Sequence, residues 1–494
     1  MRTLMKNMIV TIAALLIVFA IFTLPSYALS DAQSVAIQTL LDDACRISGV
    51  PGMSITIIDR EETFFFSSGY ANREEALPAN ETTLFELASV SKAFTGMGIL
   101  LLEEQGLLSM DDPIDKYLPW LSFQYKGESV DMSSMTLYNF LHHTSGITNG
   151  KHGVRIPEGN TPDMLQKTIE ALVGSQLAFS PGEQYEYGTV NYDVLALVIE
   201  FVSGERFEDY MKEEVFEPLG LYNTFLYSHE AKVTGNMAQG YRTSFFVTTP
   251  YNAPEYGGNK AAGYVISSAK DMARWMNIQM GIIQDIPEVF HRVIVKSHVG
   301  NTSVSDVNGM YYAAGWEVNA DRTLIQHAGG NPNFSTNVYL YPKEQVAICL
   351  LSNSASTNID LVKNIKHILN GNLTQTYKIS DMQLVDIILS SATIIFCLLA
   401  ILFFILGLRR KIMNDKKSIT KKRTRITIIW MMITVATCIV CGCFPMLVGF
   451  NWPVLLVWQG YSPLTFLVSI PLLTASITWF VSAPQHSYKL KLTS

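Results

Sequence analysis

Three apolar runs near the C-terminus, 384–408, 426–450 and 464–481, have the length and scarcity of charge of bilayer-spanning helices. Residues 409–425, between the first two, hold nine Lys/Arg and one Asp. Cationic loops stay on the cytoplasmic side, so everything before 384 is expected outside. The loop 451–463, with Trp452, Trp458 and Tyr461, is then external and interfacial, and the tail with Lys489 and Lys491 internal. The N-terminus agrees independently. Arg2 and Lys6 precede an apolar run over 8–24, and Ser26-Tyr27-Ala28 offers a small-x-small cleavage site, so 1–28 read as a signal peptide or an N-terminal anchor. Both signals place 31–375 outside the cytoplasm, as the domain of a multi-pass cell-membrane protein.

The net charge is −7, and a quarter of the 36 Lys/Arg sit in that single loop, so the rest of the chain is distinctly acidic. An acidic body argues against nucleic acid as a partner. Of the six cysteines, Cys397, Cys438, Cys441 and Cys443 fall in the apolar region. Cys438-x-x-Cys441-x-Cys443 lacks the polar surroundings that support metal ligands. The chain contains no HExxH, no phosphate-cradling glycine loop and no dinucleotide fingerprint, so neither a metal nor another cofactor is expected. Cys45 and Cys349 could pair outside the cell, but their spacing does not decide it.

Residues 31–375 mix strand and helix patterns. Strands are expected at 53–59, 63–67, 310–318, 323–328, 335–341 and 345–352, and helices at 90–105, 192–203, 205–216 and 268–280. Strands at both ends with helices between predict an α/β (α+β) domain, one antiparallel sheet closed by both termini around a helical insertion.

Three stretches could carry chemistry. In Phe85-Glu86-Leu87-Ala88-Ser89-Val90-Ser91-Lys92, Ser89 and Lys92 lie three residues apart, so at a helix start they share a face. A helix N-terminus and a desolvated amine can together turn a hydroxyl into a nucleophile. The spacing recurs at Ser267-Ser268-Ala269-Lys270, where Ser268 with Asp271 reads as a helix cap, and at Ser418-Ile419-Thr420-Lys421 in the charged loop. The second stretch, Pro181-Gly182-Glu183-Gln184-Tyr185-Glu186-Tyr187-Gly188-Thr189, is a turn leading into a helix, with Tyr187 as a candidate proton-transfer group beside a lysine. The third, His327-Ala328-Gly329-Gly330-Asn331-Pro332-Asn333, ends a strand with glycines that allow close backbone approach. His327 has no clustered acidic or His partners, which disfavours a metal role. Leu141-His142-His143-Thr144-Ser145-Gly146 reads as a structural turn.

Taken in order over about 31–355, these blocks resemble the serine β-lactamase-like, penicillin-binding family, in its AmpC/DD-peptidase branch. Val50-Pro51-Gly52, Pro218-Leu219-Gly220-Leu221 and Ser268-Ala269-Lys270-Asp271-Met272-Ala273 extend the match. The resemblance implies an antiparallel sheet flanked by helices beside a mostly helical subdomain, with the site between them. It implies Ser89 as acylated nucleophile, Lys92 as its proton partner, Tyr187 as general base and acid, and the Ser89 and Gly330 N–H groups as oxyanion hole. Two positions depart from the family pattern. Thr189 stands where Tyr-x-Asn has its amide, and His327 stands where Lys-Thr-Gly has its cation, which weakens recognition of a substrate carboxylate. An exported domain followed by three membrane helices also resembles the prodrug-activating peptidases of colibactin and zwittermicin type, which remove an N-acyl-D-asparagine cap. Glu86, Thr189, Asn331 and Asn333 could then bind the cap's carboxamide. Expected partners are a small peptide or acyl-peptide and the membrane, with an exporter or a second copy as further contacts. The alternatives of the same fold are a DD-peptidase, β-lactamase or esterase, or a non-hydrolytic penicillin-binding sensor.

Overall fold

The computed structural model describes residues 29–149, 156–305, 307–355, 360–413, 421–447 and 452–483. The export signal at 1–28, Ser418 and the middle of the basic loop lie outside the described residues.

The central sheet has eight strands: β1 (Gly52–Asp59), β2 (Glu62–Asn72), β3 (Leu77–Pro78), β4 (Met310–Tyr312), β5 (Glu317–Asn319), β6 (Ile325–Gly330), β7 (Ser335–Tyr341) and β8 (Val346–Ser352). Their order is β4-β5-β6-β7-β8-β1-β2-β3, every pair antiparallel. β1 pairs with β8 from Met53↔Ser352 to Asp59↔Val346, so the two ends of the domain close one sheet, as expected. β1 is buried almost throughout because both its faces are covered. Met53, Ile55 and Ile57 meet α1 (Asp31–Ser48) and α5 (Asp360–Leu369). The alternate residue Thr56 turns the other way and donates to the Ala269 carbonyl at the start of α4 (Ala269–Gln279).

The insertion supplies α2 (Ser91–Glu104), buried from Ser91 to Leu102, and α3 (Asn191–Ser203). Ser268 caps α4 by accepting from the Asp271 N–H, and Ser267, the serine of this second Ser-x-x-Lys, is buried with its hydroxyl 2.9 Å from Thr224 Oγ1, so the motif is structural. Two expected elements are corrected. The strand over 310–318 is broken into β4 and β5 by Gly315, whose φ of 79° lets the chain press against α2, where a Cβ would stand 2.3 Å from the Ala93 nitrogen. The helix over 205–216 is a short α-turn, Phe207–Tyr210, that widens into a π-turn over Met211–Phe216. Cys45 and Cys349 are both free, Cys349 being fully buried inside β8.

Among the described residues, three helices are long and apolar enough to cross a membrane: α6 (Asp381–Met413), α7 (Lys421–Leu447) and α8 (Ser462–Ser482), with mean hydropathies of 2.8, 2.3 and 1.9 over their most apolar stretches. α8 packs against both others. Trp479 stacks on Phe404 and fits only because Gly407 lacks a side chain, while Thr434 and Thr437 face Thr478 and Thr474. The segment expected to be an external loop contains a short helix, Trp452–Gln459.

Candidate active site

The short strand Leu84–Glu86 turns through one 3₁₀ turn, Ala88–Val90, into α2, and Ser89 sits at that junction. Ala88 has φ of 47°, a conformation that a non-glycine residue holds only under tertiary constraint. β6 supplies the constraint. Gly329 lies so close that a Cβ there would stand 2.5 Å from the Leu87 carbonyl oxygen and 3.0 Å from the Ser89 nitrogen.

Lys92 is completely buried one turn further on. Its Nζ lies 3.3 Å from Ser89 Oγ, 3.2 Å from Thr189 Oγ1 and 2.6 Å from the Ala262 carbonyl. Burial pulls its pKa far down from the ordinary 10.5, and the charge of Asp193 offsets only part of this. Tyr187 donates to Ser89 Oγ at 3.0 Å, and its ring lies 5.0 Å from the amine. Its loop is held by the Thr189 N–H donating to Asn149 and by Gly188, where a Cβ would meet the Ile147 carbonyl at 2.3 Å.

The expectation that Tyr187 is the base meets an opposing force here. Burial raises its pKa, outweighing the Ser89 hydrogen bond, and keeps the phenol protonated. Lys92 is the group whose proton affinity falls, so the resting site pairs a neutral-leaning amine with a phenol donor. A reaction that needs the free amine should therefore gain rate as pH rises through the lowered lysine pKa. We expect kcat/KM to show an ascending limb near neutrality, far below 10.5, and no descending limb from Tyr187 below 10. A pH–rate profile checks both limbs.

His327 is also buried, and desolvation, then the neighbouring Lys92, lower it to about 3. Its Nδ1 lies 2.8 Å from the Ala328 carbonyl, which can only accept, so Nε2 accepts from Tyr312 OH at 3.1 Å. The position offers a neutral imidazole and no fixed cation. Gly330 closes β6 opposite Ser335, with open space where its Cβ would be. Asn331 donates to the Glu86 carboxylate at 2.6 Å and to the Gly263 carbonyl at 3.0 Å, and burial raises Glu86 to about 7. Asn333 is turned elsewhere, packing on Gly240 and donating to the Tyr251 carbonyl at 3.2 Å.

Several contributors carry no signal of their own in the sequence. Asp193, fully buried, receives the Asn259 amide, and burial raises it above the usual carboxylate range. Its place in the first turn of α3, four residues after Thr189, is the one available clue. His143 does sit in a turn, with φ of 53°, but its ring also abuts Tyr187 and Tyr312, each at 4.4 Å between centroids. Its Nδ1 takes the Asn191 amide at 2.9 Å.

A buried lysine between a serine and a tyrosine, beside a strand ending in glycines, is a constellation for acyl transfer. Residues 37–372 match the Beta-lactamase family model. The chain belongs to the beta-lactamase family. As a member it is a serine hydrolase. Protein flp of Staphylococcus aureus (strain MRSA252) is 26% identical over 466 residues, 90% of this chain and 88% of that protein. An overlap that long reaches into the apolar C-terminal helices. A penicillin-binding protein of Bacillus subtilis (strain 168) is 29% identical over 62% of this chain and 70% of its own length. The fold is shared with a class C beta-lactamase (TM-score 0.59, 18% identity, 70% of this chain and 97% of that one). It is shared too with an octameric penicillin-binding protein homologue from Pyrococcus abyssi (TM-score 0.58, 24% identity, 68% and 77%).

Proposed function

We propose that this chain is a membrane-anchored peptidase or amidohydrolase whose catalytic domain works outside the cytoplasm, through an acyl-enzyme on Ser89. The observation that carries this reading is the buried Lys92 amine within 3.3 Å of Ser89 Oγ, with the Tyr187 phenol 3.0 Å from the same oxygen. Ser89 attacks the acyl carbon as its proton passes to Lys92 Nζ, and the developing oxyanion is met by the Ser89 and Gly330 N–H groups. As the C–N bond breaks, Tyr187 gives its proton to the leaving nitrogen and regains one from Lys92. Water then cleaves the ester by the same route in reverse, releasing the acid and free Ser89.

The chemistry of the described cleft residues supports a substrate class. A neutral His327 provides no countercharge for a terminal carboxylate, so an internal amide suits the site better than a penicillin or a D-Ala-D-Ala end. Glu86, with one carboxylate oxygen held by the Asn331 amide and the other left as an acceptor, matches the NH₂ of a carboxamide side chain. Removal of an N-acyl-D-asparagine cap from an exported peptide fits both features. Incubation of the full-length protein in detergent with an N-acyl-D-asparaginyl peptide should release N-acyl-D-asparagine, read by mass spectrometry. Rapid nitrocefin turnover without that release would point to a β-lactamase instead. A fluorescent penicillin that labels Ser89 and never leaves would point to a sensor.

A further inference from the structure

One hairpin of the catalytic domain, Tyr241–Ser244 paired with Val247–Pro250, reaches the membrane helices. Its two-residue turn, Phe245-Phe246, has φ of 54° and 63°, the left-handed geometry that a twisted hairpin needs and that Asn-Gly usually supplies. Two phenylalanines hold it only with outside help. The help comes from Asp386 on α6, which is 8% exposed. Its carboxylate accepts from the Phe245 N–H at 3.1 Å and the Phe246 N–H at 3.0 Å, and from the Ser462 hydroxyl at the start of α8. Ser462 also lies 3.1 Å from Ser244 Oγ. Arg242 donates to the Leu456 carbonyl at 2.9 Å, with its guanidinium 3.8 Å from the Tyr251 ring centroid. The turn thus sits beside Asp386 near the start of α6 and Ser462 at the start of α8, with Phe246 and Val247 exposed.

The hairpin continues to the site. Tyr251 follows its second strand, and its carbonyl receives the Asn333 amide. Two residues earlier Asn331 holds Glu86, and Pro332 between them lines a crevice together with Arg242, Gln383, Asp386, Trp458 and Ser462. We infer that Asp386 is a positioning residue: by clamping the strained Phe245-Phe246 turn to the membrane helices it sets the Asn331–Asn333 segment that borders the cleft. Membrane anchoring and substrate binding are then one mechanical unit.

The inference rests on the hydrolase reading, and the test separates the two. In full-length protein in lipid nanodiscs, Asp386→Ala should increase amide exchange at 241–251 and 331–334 while exchange elsewhere in the domain stays as in the wild type. It should also raise KM for the N-acyl-D-asparaginyl peptide about tenfold with kcat within twofold, since Ser89, Lys92 and Tyr187 are untouched. The rate at which a fluorophosphonate labels Ser89 should not change. Adding Phe245→Asn and Phe246→Gly, a turn that needs no clamp, should restore protection and KM. Unchanged exchange at 331–334, an unchanged KM, or failure of the Asn-Gly turn to rescue would overturn the inference, as would loss of protection across the whole domain. If the wild-type protein does not cleave the peptide, the substrate reading fails on its own; KM is then read on an acyl ester, and the exchange and labelling results still judge Asp386.

Discussion

Ser89→Ala should lose on the order of 10⁶-fold in kcat and form no covalent adduct with a fluorophosphonate or a slow substrate, seen as the absence of a mass shift on the intact protein. Lys92→Met should cost nearly as much, and the double variant little more, because the hydroxyl and the amine 3.3 Å away act as one unit. Stability separates the chemical from the structural effect. Lys92 is fully buried, and its amine has no carboxylate among its hydrogen-bond partners, which are Ser89, Thr189 and the Ala262 carbonyl. A methionine of similar length removes the desolvation of that amine, so the inactive variant should melt no lower than the wild type. A Lys92→Met protein that keeps half its activity would sink the acyl-enzyme assignment.

Gly329→Ala is the second large effect, and it arises from backbone proximity alone. The new Cβ would stand 2.5 Å from the Leu87 carbonyl and 3.0 Å from the Ser89 nitrogen, so β6 must retreat from the nucleophile turn. Retreat opens the gap between the Ser89 and Gly330 N–H groups and misaligns the oxyanion hole. We expect kcat/KM to fall by about 10²–10³, the cost of losing one oxyanion donor, and stability to fall by about 1–3 kcal/mol from overpacking. Gly330→Ala is the control. Nothing lies within 4 Å of its Cβ position, so it should remain close to wild type in melting temperature and rate. Equal losses in the two variants would mean that the strand, and not its approach to Ser89, is what matters.

These two experiments probe features of different legibility. Ser89 and Lys92 stand out in the chain because a three-residue spacing at a helix start is a local property. Even so, one of two rival Ser-x-x-Lys matches had to be set aside as a cap, which Ser268 proves to be. Gly329 was visible as part of His-x-Gly-Gly, but its clearance from Leu87 was not. The direction of proton traffic was read from the proximity of Tyr187 to a lysine, whereas the burial that pushes the phenol's pKa up exists only in the folded chain. Asn333 looked equivalent to Asn331 by neighbourhood, yet successive turns of the chain aim them at Tyr251 and Glu86 respectively.

By itself the sequence determined the three apolar spans, the ordered blocks that mark a serine hydrolase, and the sheet closed by both ends. Each depends on run length, period or spacing along the chain, which water and lipid read residue by residue. Tertiary structure alone decided that Asp193 and His143 stand behind Lys92 and Tyr187, that His327 is a neutral imidazole held by Tyr312, and that Asp386 clasps a hairpin far away in sequence. Those are matters of desolvation and of which distant groups share a cavity, and neither exists until the chain has folded around them.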